Sequence, residues 1–218
     1  ANDIATALTG DNTALDNAES LVVDGGTVSV DSASDIQGVD GYDSGASSYT
    51  ISDTAGAVLG DTDTAIDAGV GAINVDGAVG AGVGVQLGAL EDARFDTGFS
   101  SDVNFNVSDD ASDIATALAG DNTVLDNAED LVVDGGDTDM VGAANIQGVT
   151  SYDSGASSYT ISDTAGAVLG ATSDILTNDI AIEAYNKGKI ITPTINAINS
   201  FHTQFSANNR EYWKDIDS

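Results

Sequence analysis

The sequence predicts an α/β fold in which β-α coils with parallel strands stack into a repeat solenoid, closed by an atypical helical C-terminal cap. Three observations lead to this prediction. Residues 1–60 align without a gap with residues 111–170, and 46 of the 60 positions are identical. A shorter period, about half as long, lies inside this long repeat. Within each unit, stretches with strand alternation precede stretches with helical periodicity.

The shorter period is carried by the pattern aromatic-x-[Val/Ile]-Ser-Asp-x-Ala. It occurs as YTISDTA at 49–55, as FNVSDDA at 105–111 and again as YTISDTA at 159–165. Each unit then holds two β-α steps of about 27 residues, a length typical of stacked coils. The predicted organisation is a partial unit at 1–48, units at 49–104 and 105–158, the start of a last unit at 159–172, and the cap at 173–218.

The first strand of each unit leads directly into a helix. The stretches YTIS and FNVS alternate and are rich in β-branched and aromatic residues, which favours short strands. The residues that follow, Ser-Asp-Thr at 52–54 and Ser-Asp-Asp at 108–110, supply oxygens that cap the free amides of a helix. Apolar residues at helical spacing then mark one helix face: Ile4, Ala7 and Leu8, and again Leu15 and Ala18.

The second half of each unit repeats this alternation. The segments LVV at 21–23 and INV at 73–75 are predicted buried strands, each ended by Asp-Gly. Residues 28–45 and 78–98 are each predicted to form a further strand-like and then helix-like stretch. A rival architecture is a pair of calcium-stapled β-sandwich modules, each as long as the offset between the two copies of the long repeat. That alternative explains the long offset but leaves the alanine-rich, helix-spaced stretches unexplained.

The composition changes from about Ser173 onward. Two segments, 175–188 and 192–209, have helical periodicity, and Pro193 suits the first turn of a helix. Stacked repeats leave an apolar end face that a terminal element must cover, so we predict a helical cap that also docks to neighbouring subunits in a homo-oligomer. This part of the chain holds most of the basic residues and the single proline, tryptophan and histidine: Lys187, Lys189, Arg210, Lys214, Pro193, Trp213 and His202.

The charge balance excludes several classes of partner. The chain has 36 acidic and five basic residues, for a formal charge of -31. Nucleic acid is excluded as a partner, because binding to phosphate backbones depends on lysine and arginine. Membrane insertion is also excluded, since no run of about 18 apolar residues occurs. The absence of cysteine excludes disulfides and thiolate metal sites.

Aspartate outnumbers glutamate by 31 to five, which favours turns, helix caps and calcium over simple solubilisation. A chain this acidic repels itself unless salt or divalent ions screen it. We therefore expect an extracellular, cell-surface location in a saline or calcium-rich setting. The alternative is an acidic protein that needs no ions.

Two aspartate clusters are candidate calcium sites, because carboxylates are the hard oxygen ligands that calcium prefers. Neither cluster has the spacing of an EF-hand loop. The simpler interpretation is that these aspartates serve turns and caps without an ion. The candidate ligands are Asp134, Asp137 and Asp139 around a Gly-Gly turn, and Asp61, Asp63 and Asp67.

Other candidate sites have simpler structural explanations. Ser44 and Ser47 lie in DSGASS, which is not a nucleophile elbow, and a catalytic triad would depend on His202. The glycine-rich tract 68–88 lacks a phosphate-binding pattern and is better explained by close packing. Four tyrosines are predicted either to form an exposed ladder that binds surface glycans or to pack in the core. They are Tyr42, Tyr49, Tyr152 and Tyr159.

At the pattern [Phe/Tyr]-x-[Val/Ile]-Ser-Asp-x-Ala, the chain resembles the tandem repeats of very large surface and adhesin-like proteins of marine cyanobacteria and related bacteria. Similar repeats occur in structural proteins of the viruses that infect those bacteria. The resemblance covers about residues 1–172. It implies a surface or fibre role and transfers no catalytic residues.

The sequence is repetitive and contains no unique cluster of polar residues that would form an active site. It therefore predicts a non-enzymatic extracellular structural protein, such as a surface layer, a matrix or an adhesin stalk. Assembly with neighbouring subunits would proceed through the cap. The first alternative is a phage virion fibre or decoration protein. The second is an extracellular glycan-active enzyme, although no carboxylate pair is singled out among the 36 acids.

Overall fold

The computed structural model describes residues 1–9, 15, 18–61, 69–96, 102–121, 123–170, 175, 181–186 and 189–191. Contacts divide the chain into two compact units, one of residues 1–108 with 123–131 and one of 109–122 with the residues from 132 onward. Strands and helices alternate in both units, so the predicted α/β class is confirmed. No helix in the described ranges is both long and apolar enough to cross a bilayer.

The first unit has four parallel strands that pair in sequence order. Neighbouring parallel strands need a crossover connection, and a helix fills each one. The elements are α1 (Asn2–Leu8), β1 (Asp24–Val28), α2 (Val30–Gln37), β2 (Ser48–Asp53), α3 (Ala55–Gly60), β3 (Val70–Val79), α4 (Ala81–Asp96) and β4 (Asp102–Asp109).

The second unit repeats this order at the offset of the long repeat. Its strands β5, β6 and β7 are mutually parallel in sequence order, and β8 runs antiparallel to β7. Neither unit, in its described part, contains the antiparallel sheets of the rival β-sandwich modules. The elements are α5 (Ala111–Ala117), β5 (Asp130–Thr138), α6 (Met140–Gly148), β6 (Ser158–Thr164), α7 (Ala165–Gly170), β7 (Ala181–Asn186) and β8 (Lys189–Ile191).

Alternate residues of β2, β4 and β6 enter the core. In β2, Tyr49 and Ile51 are buried, whereas Thr50 between them is partly exposed. Ile51 pairs with the equally buried Ile73 of β3. Side chains that alternate with the buried ones form polar cross-strand contacts. Asn104 Nδ2 donates to Asn74 Oδ1 at 2.8 Å, and Ser52 Oγ donates to Asp76 Oδ1 at 2.7 Å.

Asp-Gly sequences interrupt strands but do not end them. The prediction that strands stop at Asp-Gly is wrong, because β3 runs through Asp76 and Gly77 and β5 runs through Gly135 and Gly136. The pairing register shifts at these positions, as expected for β-bulges. Gly135 and Gly136 have φ values of 91° and 76°, which glycine adopts without a steric penalty. The predicted strand at 21–23 is also wrong, because β1 begins at Asp24 and Leu21 forms an isolated bridge with Tyr42.

The predicted helix caps are confirmed. Thr54 Oγ1 accepts a hydrogen bond from the Ala57 amide at 3.3 Å at the start of α3. Asp110 Oδ1 accepts hydrogen bonds from the amides of Ser112 at 2.9 Å and Asp113 at 3.1 Å at the start of α5. These bonds satisfy amides that have no partner inside the helix.

In the second copy, the helical interpretation does not extend beyond α5 to the apolar residues that follow it. α5 ends at Ala117, and Gly120, with a φ of 116°, follows as a helix terminator. Residues 123–127 then form turns, in the place that corresponds to Leu15. Leu125 is nevertheless fully buried, so the apolar spacing there reflects packing and not a helix.

The helical prediction for residues 175–188 is wrong over 181–186, which form β7. Ile182 is buried and pairs with Ile161 of β6, just as Ile73 pairs with Ile51. Pairing with the open edge of β6 therefore overrides a weak helical pattern, and the parallel pairing of the second unit extends past residue 172. Residues 192–218 of the predicted cap lie outside the described residues.

Close packing of the glycine tract is confirmed for part of it, at Gly84 and Gly88, whereas Gly77 and Gly82 have nothing within 4 Å of their Cβ positions. In α4, a Cβ placed on Gly84 would lie 2.8 Å from Val107 Cγ2 and 3.2 Å from Leu125 Cδ2. A Cβ on Gly88 would lie 3.1 Å from the carbonyl oxygen of Val124. Because glycine has no side chain, α4 lies closer to β4 and to the turn at 123–127 than it would with any other residue at these two positions.

Replacing Gly84 with valine should lower the free energy of unfolding by about 1–3 kcal/mol, because the side chain overfills a packed core. Gly82 is the matched control, since it lies in the same helix with nothing within 4 Å of its Cβ position. Gly82→Ala should raise stability by about 0.5–1 kcal/mol through helix propensity. Denaturant unfolding of both variants measures the difference, and equal effects would contradict close packing at Gly84.

Candidate functional site

The structure places the first predicted calcium cluster around the bulge of β5 and the start of α6. Asp134 lies before the bulge and Asp137 lies after it. Both residues and the third member of the cluster, Asp139, are exposed. Asp139 is the N-cap of α6, and its Oδ1 accepts a hydrogen bond from the Gly142 amide at 2.7 Å. The cap interpretation therefore holds for Asp139, and calcium binding by this cluster stays a prediction.

The second predicted cluster is only partly described. Asp61 is the C-cap residue of α3 and is partly buried. Asp63 and Asp67 lie outside the described residues. Whether the three carboxylates meet therefore also stays a prediction.

A different aspartate group comes together at the start of α5. Within the described ranges, Asp109, Asp110 and Asp113 form the group of three acids whose ligand oxygens lie within 4.8 Å of one another. The sequence predicts a cap at Asp109 and Asp110 but does not single out Asp113. The position of Asp113 in the first turn of α5 is the signal that identifies it, because an acidic side chain there interacts favourably with the positive end of the helix dipole.

Hydrogen bonds to the Asp110 carboxylate lower its pKa below the ordinary 3.8, chiefly the one donated by Ser112 Oγ at 2.7 Å and also that from the Asp113 amide. Because the folded pKa lies below the unfolded one, this group stabilises the fold at neutral pH. That contribution falls away as the pH drops through the unfolded and then the folded pKa.

We expect NMR titration to show Asp110 ionising below pH 3.8. Asp110→Asn keeps a cap oxygen but cannot ionise, so its unfolding free energy should depend less on pH between about 5 and 3 than that of the parent chain. Identical pH dependence of the two proteins would contradict this assignment.

The tyrosines of the strands belong to the core. Tyr49 and Tyr159 are 2% and 3% exposed, and their hydroxyls accept hydrogen bonds from Gln37 Nε2 at 2.7 Å and Gln147 Nε2 at 3.0 Å. Burial raises the pKa of Tyr159. The core interpretation is thus confirmed for these two residues, while the pair at 42 and 152 is partly buried.

The serine candidates for nucleophilic chemistry also have structural roles. Ser47 is 8% exposed, and its Oγ accepts a hydrogen bond from the Val23 amide at 3.0 Å and donates one to the Asp43 carbonyl at 2.7 Å. A hydroxyl engaged in this way ties one coil to another. His202, the required base of a triad, lies outside the described residues.

Each unit has an open cleft beside its first two helices. The cleft of the first unit, named the first cleft, has a volume of about 390 Å³. Its lining residues come from α1, β1, the start of α2 and β2. They are Asn2, Ala5, Thr6, Thr9, Thr27, Val28, Ser29, Ser32 and Ser52.

The second cleft is the counterpart of the first in the second unit, with a volume of about 500 Å³. Every lining position of the first cleft has its counterpart in the second, at the offset of the long repeat. The lining residues are Ser112, Ala115, Thr116, Ala119, Asp137, Thr138, Asp139, Val141, Gly142, Asn145 and Ser162.

Differences between the two copies concentrate in these clefts. Residues 1–60 and 111–170 differ at 14 positions, and eight of these line the second cleft. Six of the nine lining positions of the first cleft differ. Exposure alone does not explain this pattern, because residues 42–60 are repeated without change although Asp43, Ser48 and Thr54 are exposed. The scaffold is held constant while the clefts change, which makes them the best candidate sites.

Comparison with protein-family models, with curated proteins and with solved structures finds no match for this chain.

Proposed function

We propose that the chain is a non-enzymatic structural repeat protein, a solenoid of stacked β-α coils that provides length on the outside of a bacterium. Neighbouring subunits would assemble through the C-terminal segment. The observation that carries the proposal is that successive coils within each unit are joined by the same set of hydrogen bonds in both copies. A protein whose task is extension needs such equivalent joints and needs no unique catalytic centre.

The first joint is a buried serine that bonds to the preceding coil. The Val23 amide donates to Ser47 Oγ at 3.0 Å, and the Val133 amide donates to Ser157 Oγ at 2.9 Å. In each case, the two partners are 24 residues apart. This spacing is close to the predicted β-α step of about 27 residues.

The second joint is an aspartate at the end of the next strand. The Val30 amide donates to Asp53 Oδ2, and the Met140 amide donates to Asp163 Oδ2, both at 3.1 Å. Each carboxylate holds the first amide of a helix in the preceding coil, and its other oxygen accepts from the next residue in its own chain segment. A carboxylate shared in this way fixes where each coil starts relative to its neighbour.

The charge of -31 supports an extracellular, saline setting, in which screening by salt reduces repulsion along an extended chain. The resemblance of the repeated strand motif to bacterial surface repeats points in the same direction. Calcium is a candidate counterion on the same grounds.

Small-angle X-ray scattering of the 218-residue chain in physiological salt tests the proposal. A solenoid gives an asymmetric distribution of interatomic distances with a long tail. Sedimentation at rising concentration tests assembly, and removal of residues 192–218 should abolish it while leaving the circular dichroism spectrum of the repeats. A symmetric distribution typical of a compact globule, or assembly that survives the truncation, would contradict the respective part of the proposal.

A further inference from the structure

The second cleft is lined by a buried threonine whose hydroxyl has no partner among the described residues. Three polar side chains are buried in the described part of the chain, at Ser47, Thr138 and Ser157. The two serines form the joints described above, whereas Thr138 is 9% exposed and makes no hydrogen bond with any described residue. Thr138 Oγ1 is not among the buried side-chain oxygens that lack a partner, so this hydroxyl reaches the open space of the cleft, where it can exchange a hydrogen bond with a ligand.

Thr138 arises from a concerted change between the two copies. The first copy has Val28 and Ser32 where the second has Thr138 and Gly142. A Cβ on Gly142 would collide with Thr138 Oγ1, so the threonine hydroxyl fits only because residue 142 is glycine. Two matched substitutions thus replace an apolar side chain with a hydroxyl on the strand side of the cleft.

Other polar groups of the second cleft also lack partners within the described ranges. The side chains of Asn145 and Ser162 are partly buried, and neither they nor the exposed Asp137 carboxylate bond to any described residue. Asp139 uses one oxygen for the α6 cap. At the rim, Val141, 67% exposed, adds an apolar surface where the first copy has Asp31.

Some hydroxyls bond inside the chain in both clefts, as Ser112 and Thr116 do in the second, but in the first cleft the side chains that correspond to Gly142 and Ser162 are bonded as well. Ser29 Oγ donates to Ser32 Oγ at 3.1 Å, and Ser52 Oγ donates to Asp76. Its lining residues carry no formal charge. The two clefts therefore share a scaffold but differ in their polar groups. The second cleft has two carboxylates and several side chains without a partner among the described residues, whereas the first cleft has no charged lining residue.

We propose that the second cleft binds a hydroxylated ligand that carries a protonated amine, specifically an amino sugar. The second cleft is open to solvent, and its volume of about 500 Å³ has room for a sugar ring and far exceeds the space taken by a bare ion. Asp137 and the second oxygen of Asp139 attract the ammonium group, and Thr138, Asn145 and Ser162 exchange hydrogen bonds with ligand hydroxyls. Val141 contacts the C–H surface of the sugar ring.

Isothermal titration calorimetry with the full chain tests this assignment. The probes are a glucosamine oligosaccharide, its N-acetylated counterpart, putrescine and calcium chloride. The glucosamine oligosaccharide should bind one site per chain. The neutral N-acetylated probe and Thr138→Val should each give at least about tenfold weaker binding, since each loses a polar contact to the cleft.

The repeat supplies a control variant that should fold. Residues 137–142 are replaced by those of 27–32, which the first copy already accommodates: Asp137→Thr, Thr138→Val, Asp139→Ser, Met140→Val, Val141→Asp and Gly142→Ser. This exchange should abolish binding while the melting temperature stays close to that of the parent. The reverse exchange, placing residues 137–142 at 27–32, should create a second site.

Three results would overturn the proposal. The first is no binding of the amino sugar by the parent chain. The second is binding that survives the exchange of residues 137–142. The third is binding of putrescine as tight as that of the glucosamine oligosaccharide, or tighter binding of calcium that the same exchange removes. Either result would mean that the cleft recognises a positive charge and not a sugar.

Discussion

Replacing Phe105 with alanine will lower the free energy of unfolding of the first unit by about 3–5 kcal/mol. Phe105 is 1% exposed at the centre of β4, and its ring lies 3.6 Å from the Cβ position of Gly84 in α4. Its removal leaves a cavity between strand and helix that two closely packed elements cannot fill by relaxing. Denaturant unfolding followed by circular dichroism measures the loss.

Two variants calibrate this result. Phe105→Leu retains most of the apolar volume and should cost less than about half as much. Val141→Ala removes an apolar side chain that is 67% exposed and should change stability by less than about 0.5 kcal/mol. If Phe105→Ala cost no more than Val141→Ala, the side chain of Phe105 would not be part of a packed core.

The second large effect is expected at Gly136. Gly136→Ala forces an L-residue to a φ of 76°, which costs about 1–2 kcal/mol. The new Cβ would also lie 3.1 Å from the Ala111 backbone nitrogen and 3.0 Å from Asp110 Cβ. This contact is with the start of α5 and should add about 1–3 kcal/mol, because backbone cannot move aside as a flexible side chain can.

Gly135 separates the two contributions. It precedes Gly136 in the same bulge, has a φ of 91°, and has nothing within 4 Å of its Cβ position. Gly135→Ala should therefore show the conformational cost alone. Thermal unfolding of the two variants under the same conditions gives the difference, and equal losses would mean that the bulge does not press against α5.

Much of the fold follows from local sequence. The alternation in YTIS and the cap residues at 52–54 and 108–110 depend on neighbours in the chain, and the structure confirms them. β7 could not be predicted in this way. Its residues Ala-Ile at 181–182 match Ala-Ile at 72–73, but a match of one dipeptide is too short a signal, and strand pairing with β6 decides the outcome.

The candidate site was predictable only in part. The spacing of Asp137 and Asp139 predicts ion ligands, and both residues line the second cleft. The role of Thr138 depends on burial and on the space left by Gly142, which packing alone determines. A comparison of 27–32 with 137–142, the longest block of consecutive differences between the copies, would have pointed to the same place.

The serine and aspartate joints have a consequence for how such a gene can change length. Each bond reaches back over 23 or 24 residues, so a small insertion or deletion inside that span pulls donor and acceptor apart. In-frame duplication of a whole segment preserves every pairing at once. Lineages that carry this chain should therefore vary in the number of complete segments, and rarely in the size of any one of them.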